Sequence, residues 1–377
     1  MSIQFTKEQL RVQSTIRQFV KKELEPVAEK MDREQISASM VTKKLAKLNY
    51  IGVYYPTEYG GGGADFTTYC ILLEEIAKAC PATAACLAIQ TASPYPLYKF
   101  GSPELKAKYL PSFMAYEKQT CFCLTEPEAG SDPSNLKTTA VLDGDYWVLN
   151  GTKRFISMGD EGDVIGVMAR TGGEGSKGIS AFMVDKSVSP FTVVSIEDKM
   201  GLRACHTTTL SFDNCRVPKE NILGKPGDGL KIGFTTLDEG RVGVAAIALG
   251  TAEAALEEAI KAAKQRVQFG KRIADFQGIQ WYIAEMAKNV EAARLLVYNA
   301  AHLCDEGKPF AVNASMAKLF TTETAVNNCV QSLQIHGGDG YMKPSKIERL
   351  YRDAKVLQII EGTSEIQKMV ISRTALA

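Results

Sequence analysis

The stretch Ala140-Val141-Leu142-Asp143-Gly144-Asp145-Tyr146-Trp147-Val148-Leu149 decides the fold class. Two runs of apolar and β-favouring residues flank Asp143-Gly144, a pair that tolerates the positive φ of a tight hairpin turn. Asn150-Gly151 marks the next turn. Further along, Val164–Ala169, Ile179–Val184, Phe191–Ile196 and Thr207–Phe212 keep a period of two, at the spacing of a sandwich or barrel. Residues 118–226 are therefore predicted to form a middle β domain.

On either side the period becomes helical. Upstream, Thr6 and Gln9 match a capping box, and Val12, Ile16, Phe19, Val20 and Val27 recur at helical spacing. A second run covers Ser37–Leu48, and Gly60–Gly63 read as a flexible break before a helix over Tyr69–Ala79. Gly101-Ser102-Pro103 split a helical pair over Pro96–Phe113. Downstream, long helical segments are predicted near 241–268, 276–306, 310–335 and 363–374, joined by short loops as in an antiparallel bundle. The expected fold is α+β: an N-terminal helical domain over 1–117, the β-sandwich or barrel over 118–226, and a four-helix bundle over 227–377.

At 377 residues the chain suits two or three packed units. Its formal net charge of +1 gives no electrostatic case for nucleic acid or an anionic membrane. No apolar run approaches the roughly 18 residues that span a bilayer. The opening Met1-Ser2-Ile3-Gln4-Phe5-Thr6 lacks the n-region and apolar core of a signal peptide. The expected location is the bacterial cytoplasm, or the mitochondrial matrix for a processed form. Nine cysteines without a repeated spacing suit buried, reduced thiols, and Cys121-Phe122-Cys123 puts two thiols on one face of a strand. His206, His302 and His336 form no ligand pair, so no metal is expected.

Chemistry concentrates near the C-terminus, in Ile359-Ile360-Glu361-Gly362-Thr363-Ser364-Glu365-Ile366-Gln367. Gly362 breaks the helical pattern, either Thr363 or Ser364 can cap the next helix, and Ser364 to Gln367 fits a capping box. Glu361 then lies on a turn against apolar walls that disfavour its ionised form, which suits a general base working near neutral pH. The plain alternative is a solvated loop glutamate. Leu124–Asp132 places small hydroxyl residues and a glycine at the end of an apolar strand, as a planar polar ligand or a phosphate requires. Phe155-Ile156-Ser157 joins an aromatic face to a hydroxyl, and Arg266–Lys271 offers a cationic fork to a pyrophosphate. Gly172–Gly178 lacks P-loop order and reads as a loop tip. Gly337-Gly338-Asp339-Gly340 ends a helix, permitting close backbone approach or a C-cap.

Taken in order, Leu124–Asp132, Gly151–Ser157, Lys199-Met200-Gly201, Asp238–Arg241, Gln265–Lys271, Gln334–Tyr341, Arg352-Asp353 and Glu361–Gln367 resemble the acyl-CoA dehydrogenases, most closely the short-chain, butyryl-CoA type. The resemblance implies FAD, an acyl-CoA substrate, an electron-transferring flavoprotein and a homotetramer built as a dimer of dimers. It places Phe122, Leu124, Thr125, Gly130 and Ser131 along the flavin, Phe155 against its ring and Ser157 near N5. Arg266, Gln268, Phe269, Gln277 and the segment Gln334, Gly337 and Gly338 should reach the FAD of a neighbouring subunit, with Thr363 and Glu365 on their own subunit's cofactor. Ser131, Asp238, Arg241 and Gly362 are expected at the substrate, the middle two near the CoA arm.

Glu361 then looks like the base that removes the α-proton, while the β-hydrogen leaves as hydride to flavin N5. In some branches the base lies on the earlier helix, where this chain has Gly240. Ile360 stands where many relatives have tyrosine, Met158 where asparagine is common, and Asp339 is also a departure. Thr83 aligns where the glutaryl-CoA branch has arginine, which disfavours a dicarboxylic substrate. The expected reaction is dehydrogenation of a short, branched, cyclic or aryl acyl-CoA to the trans-2-enoyl-CoA. The alternatives are an enoyl-CoA reductase running the reverse reaction, a lyase on the same scaffold, and a non-catalytic flavoprotein.

Overall fold

A computed structural model describes residues 4–377, so the first three positions of the stretch read for targeting lie outside the described residues. Seven α-helices come first: α1 (Lys7–Phe19), α2 (Glu25–Glu34), α3 (Ser39–Ala46), α4 (Phe66–Ala77), α5 (Pro81–Ala92), α6 (Tyr95–Phe100) and α7 (Pro103–Met114). A π-turn over Val20–Leu24 joins α1 to α2. The Thr6–Gln9 box forms: Gln9 N donates to Thr6 Oγ1 at 3.1 Å and Thr6 N to Gln9 Oε1 at 2.9 Å.

Gly60–Gly63 is not a loose break. Gly62 N bonds Gly52 O and Gly63 N bonds Tyr55 O, and a Cβ on Gly61 would lie 2.2 Å from Tyr55 O. These glycines permit two backbone segments to touch.

The middle unit holds β1 (Phe122–Cys123), β2 (Thr139–Asp143), β3 (Tyr146–Ser157), β4 (Val164–Arg170), β5 (Ile179–Asp185), β6 (Thr192–Ile196), β7 (Thr207–Pro218) and β8 (Ile222–Leu223). Val141 faces Val148 and Leu142 faces Trp147 across the predicted hairpin. The strand order is β6-β7-β3-β2-β4-β5-β8, with β1 paired to β4. β2 and β4 meet at the single pair Thr139–Arg170. The sheet therefore folds into two halves around Cys121, Cys123, Trp147, Leu149, Val167, Phe182 and Phe212.

The C-terminal helices are α8 (Gly229–Gln265), α9 (Gln277–Asp305), α10 (Ala311–His336), the short α11 (Gly338–Tyr341), α12 (Lys346–Leu357) and α13 (Ser364–Leu376). A small hairpin, β9 (Val267–Gln268) and β10 (Lys271–Arg272), precedes α9. The two helical units share one core. α4 is buried along its whole length, and Ile71, Leu72 and Ile76 join Val242, Ala246 and Leu249 of α8 in a single cluster.

Side chains lock the three units together. Asp353 Oδ1 accepts from Leu202 N at 2.6 Å, and Arg352 makes a two-pronged pair with Asp32 at 2.6 and 3.0 Å. No helix among the described residues is long and apolar enough to cross a membrane. All nine cysteines are free, and Cys121 Sγ, just before β1, lies 3.9 Å from Cys123 Sγ.

Candidate active site

The turn between α12 and α13 is built around two left-handed residues, Glu361 at φ 53° and Gly362 at φ 89°. For a residue with a Cβ that conformation costs roughly 1–2 kcal/mol, so it persists where neighbours fix it. Here Gln367 Nε2 donates to Glu361 O at 3.1 Å and to Gly362 O at 2.8 Å, and Lys318 Nζ donates to Gly362 O at 2.8 Å. Arg241 Nε approaches Glu361 O at 3.5 Å. Thr363 caps α13 by accepting from Ile366 N. The expected Ser364–Gln367 box does not form, because the Gln367 side chain points back into the turn.

The Glu361 carboxylate lies directly on Gly240 of α8. A Cβ there would stand 2.8 Å from Oε2 and 3.1 Å from Oε1. Oε2 is buried with no hydrogen-bond partner. Burial pushes this carboxyl up to about 7, opposed by the charges of Arg241 and Lys318. Burial likewise pulls Lys318 down to about 8, with Glu361 acting against it. The expected isoleucine walls are half right. Ile360 packs on the core, whereas Ile359 is 53% exposed. The rest of the enclosure comes from α8.

Arg241 is buried and pairs with Asp238 Oδ1 at 2.7 Å, one turn away on α8. Ser131 is exposed on the middle unit.

The second group of expected residues lines the loop after β1. A buried ion pair holds this loop: Lys153 Nζ donates to Glu126 Oε1 at 2.7 Å and to Leu124 O at 3.1 Å. Glu126 also accepts from Thr138 N at 3.0 Å. With its backbone fixed from beneath, the loop presents half-buried Thr125, exposed Ser131 and Gly130, beside which there is open space. Leu124 is buried, and Phe122 reaches the Cβ position of Gly233 on α8 at 3.8 Å. A bulge between Lys153 and Ile156 re-aims β3, leaving Phe155 57% exposed at φ 57°. Ser157 follows, half-buried. Met158 also adopts φ 57°, a conformation asparagine enters more readily than methionine. An exposed aromatic beside hydroxyls and an open glycine fits a planar heteroaromatic ring such as a flavin.

The third group lies at the far end of the bundle. Phe269 and Gly270, both at positive φ, turn the β9–β10 hairpin, and Phe269 is 93% exposed. Gln268, Gln277, Gln334, Gly337 and Gly338 are exposed as well. Arg266 pairs with Asp339 at 3.1 Å beside a cavity of about 680 Å³ in whose lining Lys261, Arg266 and Lys343 outnumber the carboxylates Glu258 and Asp339. Such a lining fits an anionic pyrophosphate. Among the described residues, no hydrogen bond joins this group to the middle domain. Thr363 and Glu365 belong with the Glu361 turn instead.

Three features were not legible beforehand. Lys318 and Gln367 hold the Glu361 turn, Glu239 is buried among tyrosines, and Asp160, Glu161 and His206 cluster within 4.8 Å of one another. His206 Nδ1 meets Asp160 Oδ2 at 2.6 Å and Nε2 meets Gln35 O at 2.9 Å. Both ring nitrogens face acceptors, so the ring is an imidazolium with no lone pair for a cation. The hydrogen bond to Asp160 raises it to about 9.

Comparison with known proteins places these features in a context. Three family models match: the acyl-CoA dehydrogenase N-terminal domain over residues 6–117, the middle domain over 121–215 and the C-terminal domain over 227–376. The chain is 46% identical over 379 aligned residues to an acryloyl-CoA reductase (NADH) of Anaerotignum propionicum, covering 100% of this chain and 96% of that protein. The structure of butyryl-CoA dehydrogenase from Megasphaera elsdenii superimposes with a TM-score of 0.97 at 39% identity, covering 100% of both chains. A chain from the structure described as the electron transferring flavoprotein of Acidaminococcus fermentans gives 0.98 at 43% identity, again over 100% of both.

Proposed function

This chain belongs to the acyl-CoA dehydrogenase family, and from that premise we propose that Glu361 removes the α-proton of a short, branched, cyclic or aryl acyl-CoA as it becomes the trans-2-enoyl-CoA. The chain is an FAD-dependent oxidoreductase acting on the CH–CH bond of an acyl-CoA. FAD, when bound, accepts the hydride that leaves the β-carbon.

The observation that carries the proposal is the Glu361 carboxylate, enclosed over Gly240 and raised to about 7. A base poised near neutrality is part ionised at working pH and still strong enough to take a proton. Lys318, Gln367 and Arg241 fix its backbone, so the carboxylate meets the substrate without reorganisation. Gly240 leaves α8 without a carboxylate at the position that Glu361 covers. The β1 loop, Phe155 and Ser157 would hold the flavin, and Asp238 and Arg241 would face the CoA arm. The exposed Arg266, Phe269, Gln334, Gly337 and Gly338 would meet the FAD of a second copy, the contact within each pair of the homotetramer that the resemblance implies. An electron-transferring flavoprotein would then collect the electrons.

A second reading, reduction of an enoyl-CoA, is favoured by the 46% identical acryloyl-CoA reductase. Anaerobic bleaching of the flavin absorbance by an acyl-CoA panel separates them. Rapid bleaching by one member supports the dehydrogenase. No bleaching, with dithionite-reduced flavin reoxidised by an enoyl-CoA, supports the reductase.

A further inference from the structure

Glu239 precedes Gly240 on α8 and is only 7% exposed. Its Oε2 accepts from Tyr54 Oη at 3.0 Å, and the Tyr95 hydroxyl lies beside it. Burial pushes the carboxyl up to about 7, with the two tyrosine hydroxyls acting the other way. Apart from Glu361 in the proposed catalytic turn, the other buried carboxylates are differently provided for. Glu74 pairs with Arg294, Glu75 with Arg17, Glu126 with Lys153 and Asp185 with Lys118, while Asp353 accepts a backbone N–H. Among the described residues Glu239 has no cation within ion-pair distance. Lys99 acts on it only from farther off and lies over the rings of Tyr95 and Tyr98, at 5.4 and 5.2 Å.

The path from the proposed base to this carboxylate is short and aromatic. Glu361 covers Gly240, and one turn on, the Tyr69 hydroxyl lies 3.1 Å from the Cβ position of Gly243. The charges of both Glu239 and Glu361 act on that phenol. The Tyr69 ring meets Tyr54 edge-on, with centroids 5.4 Å apart, and Tyr54 carries the bond to Glu239. With Glu361 and the Tyr69 hydroxyl filling the spaces beside these two glycines, an acyl chain with its α-carbon at Glu361 would run along the tyrosine rings to bring its far end to Glu239.

We infer that Glu239, with Tyr54, Tyr69 and Tyr95, recognises the far end of the acyl chain and selects an acyl-CoA that ends in a positively charged amine. A desolvated carboxylate among phenols lacks a counter-charge that a ligand ammonium supplies, together with three N–H donors. Tyrosine faces add cation–π attraction, and an apolar chain end would leave the carboxylate unpaired. This specificity rests on the reading of Glu361 as the base beside the bound acyl chain.

The test separates the two. Binding of 6-aminohexanoyl-CoA and of its apolar isostere heptanoyl-CoA is read from the flavin spectrum of the FAD-loaded Glu361→Gln protein, which needs no turnover. The expected result is at least tenfold tighter binding of the amine, abolished by adding Glu239→Gln and weakened by adding Tyr54→Phe. Equal binding, tighter binding of heptanoyl-CoA, or an amine preference that survives Glu239→Gln would overturn the inference. Failure of the base assignment shows instead as full turnover in Glu361→Gln, whatever the chain end.

Discussion

The carboxylate of Glu361 occupies the space that a side chain on Gly240 would need, with Oε2 2.8 Å from the missing Cβ. Two elements about 120 residues apart in sequence thus share one position, and only one of them can carry a functional group there. Glycine on α8 is the condition for a base on the α12–α13 turn.

Gly240→Ala follows directly. The added methyl overpacks the site, at a cost of about 1–3 kcal/mol, or it pushes the carboxylate aside. A displacement near 1 Å is expected to lower kcat on the order of 10²-fold while FAD stays bound. Steady-state kinetics beside flavin absorbance checks both, and an unchanged kcat would show that the two groups do not compete.

The Glu361 carboxyl, raised by burial from 4.5 to about 7, binds its proton more tightly in the folded chain than in the unfolded one. The stability it contributes is whole below about pH 4.5 and is lost as pH rises through about 7. Glu361→Gln should therefore be the more stable protein at about pH 8, by up to ~3 kcal/mol, with the difference vanishing in acid. Activity runs the opposite way. Only the ionised base accepts a proton, so kcat/KM of the wild type should rise through a midpoint near 7. Denaturant titrations at several pH values and a pH–rate profile test the two signs separately.

Arg266 and Asp339 form an exposed pair at 3.1 Å, 45% and 85% accessible, of the kind worth ~0–1 kcal/mol. A pyrophosphate can displace such a partner. Asp339→Asn should retain FAD better through dialysis, and Arg266→Ala should bind it roughly 10- to 100-fold more weakly, as loss of a charge-assisted hydrogen bond implies. Full flavin occupancy in Arg266→Ala would remove that residue from the cofactor site.

His206 joins the middle domain to the loop after α2, and its hydrogen bond to Asp160 raises it from 6.5 to about 9. Its stabilisation is complete below about pH 6.5 and is lost as pH rises through about 9. The melting temperature of the wild type should fall across that interval, and that of His206→Gln should change less. Parallel curves would show that the imidazolium contributes nothing at this junction.

The hairpin at Asp143-Gly144 and the capped helices were legible because turn chemistry and periodicity are local signals. α5 carries little periodic signal because Pro81–Thr91 is buried on nearly every side, which erases the amphipathic contrast. The predicted C-terminal helices omit α12, in which Ile347, Leu350, Ala354 and Leu357 form a regular buried stripe. Gly60–Gly63 misled because glycine serves close packing as well as freedom. At the site, Glu361 stood out by its odd neighbours. Lys318 and Gln367 could not, since a lysine and a glutamine within helices look like solvent-facing residues until the turn they hold is in place.

The most direct test of the account is anaerobic flavin reduction in the wild type and in Glu361→Gln, at matched FAD content, with the acyl-CoA that bleaches the wild type fastest. Loss of a group that takes the proton in the transition state predicts a rate lower by at least ~10²–10⁴-fold, with the flavin spectrum and substrate binding kept. Bleaching at the wild-type rate would show that the carboxylate over Gly240 is not the base.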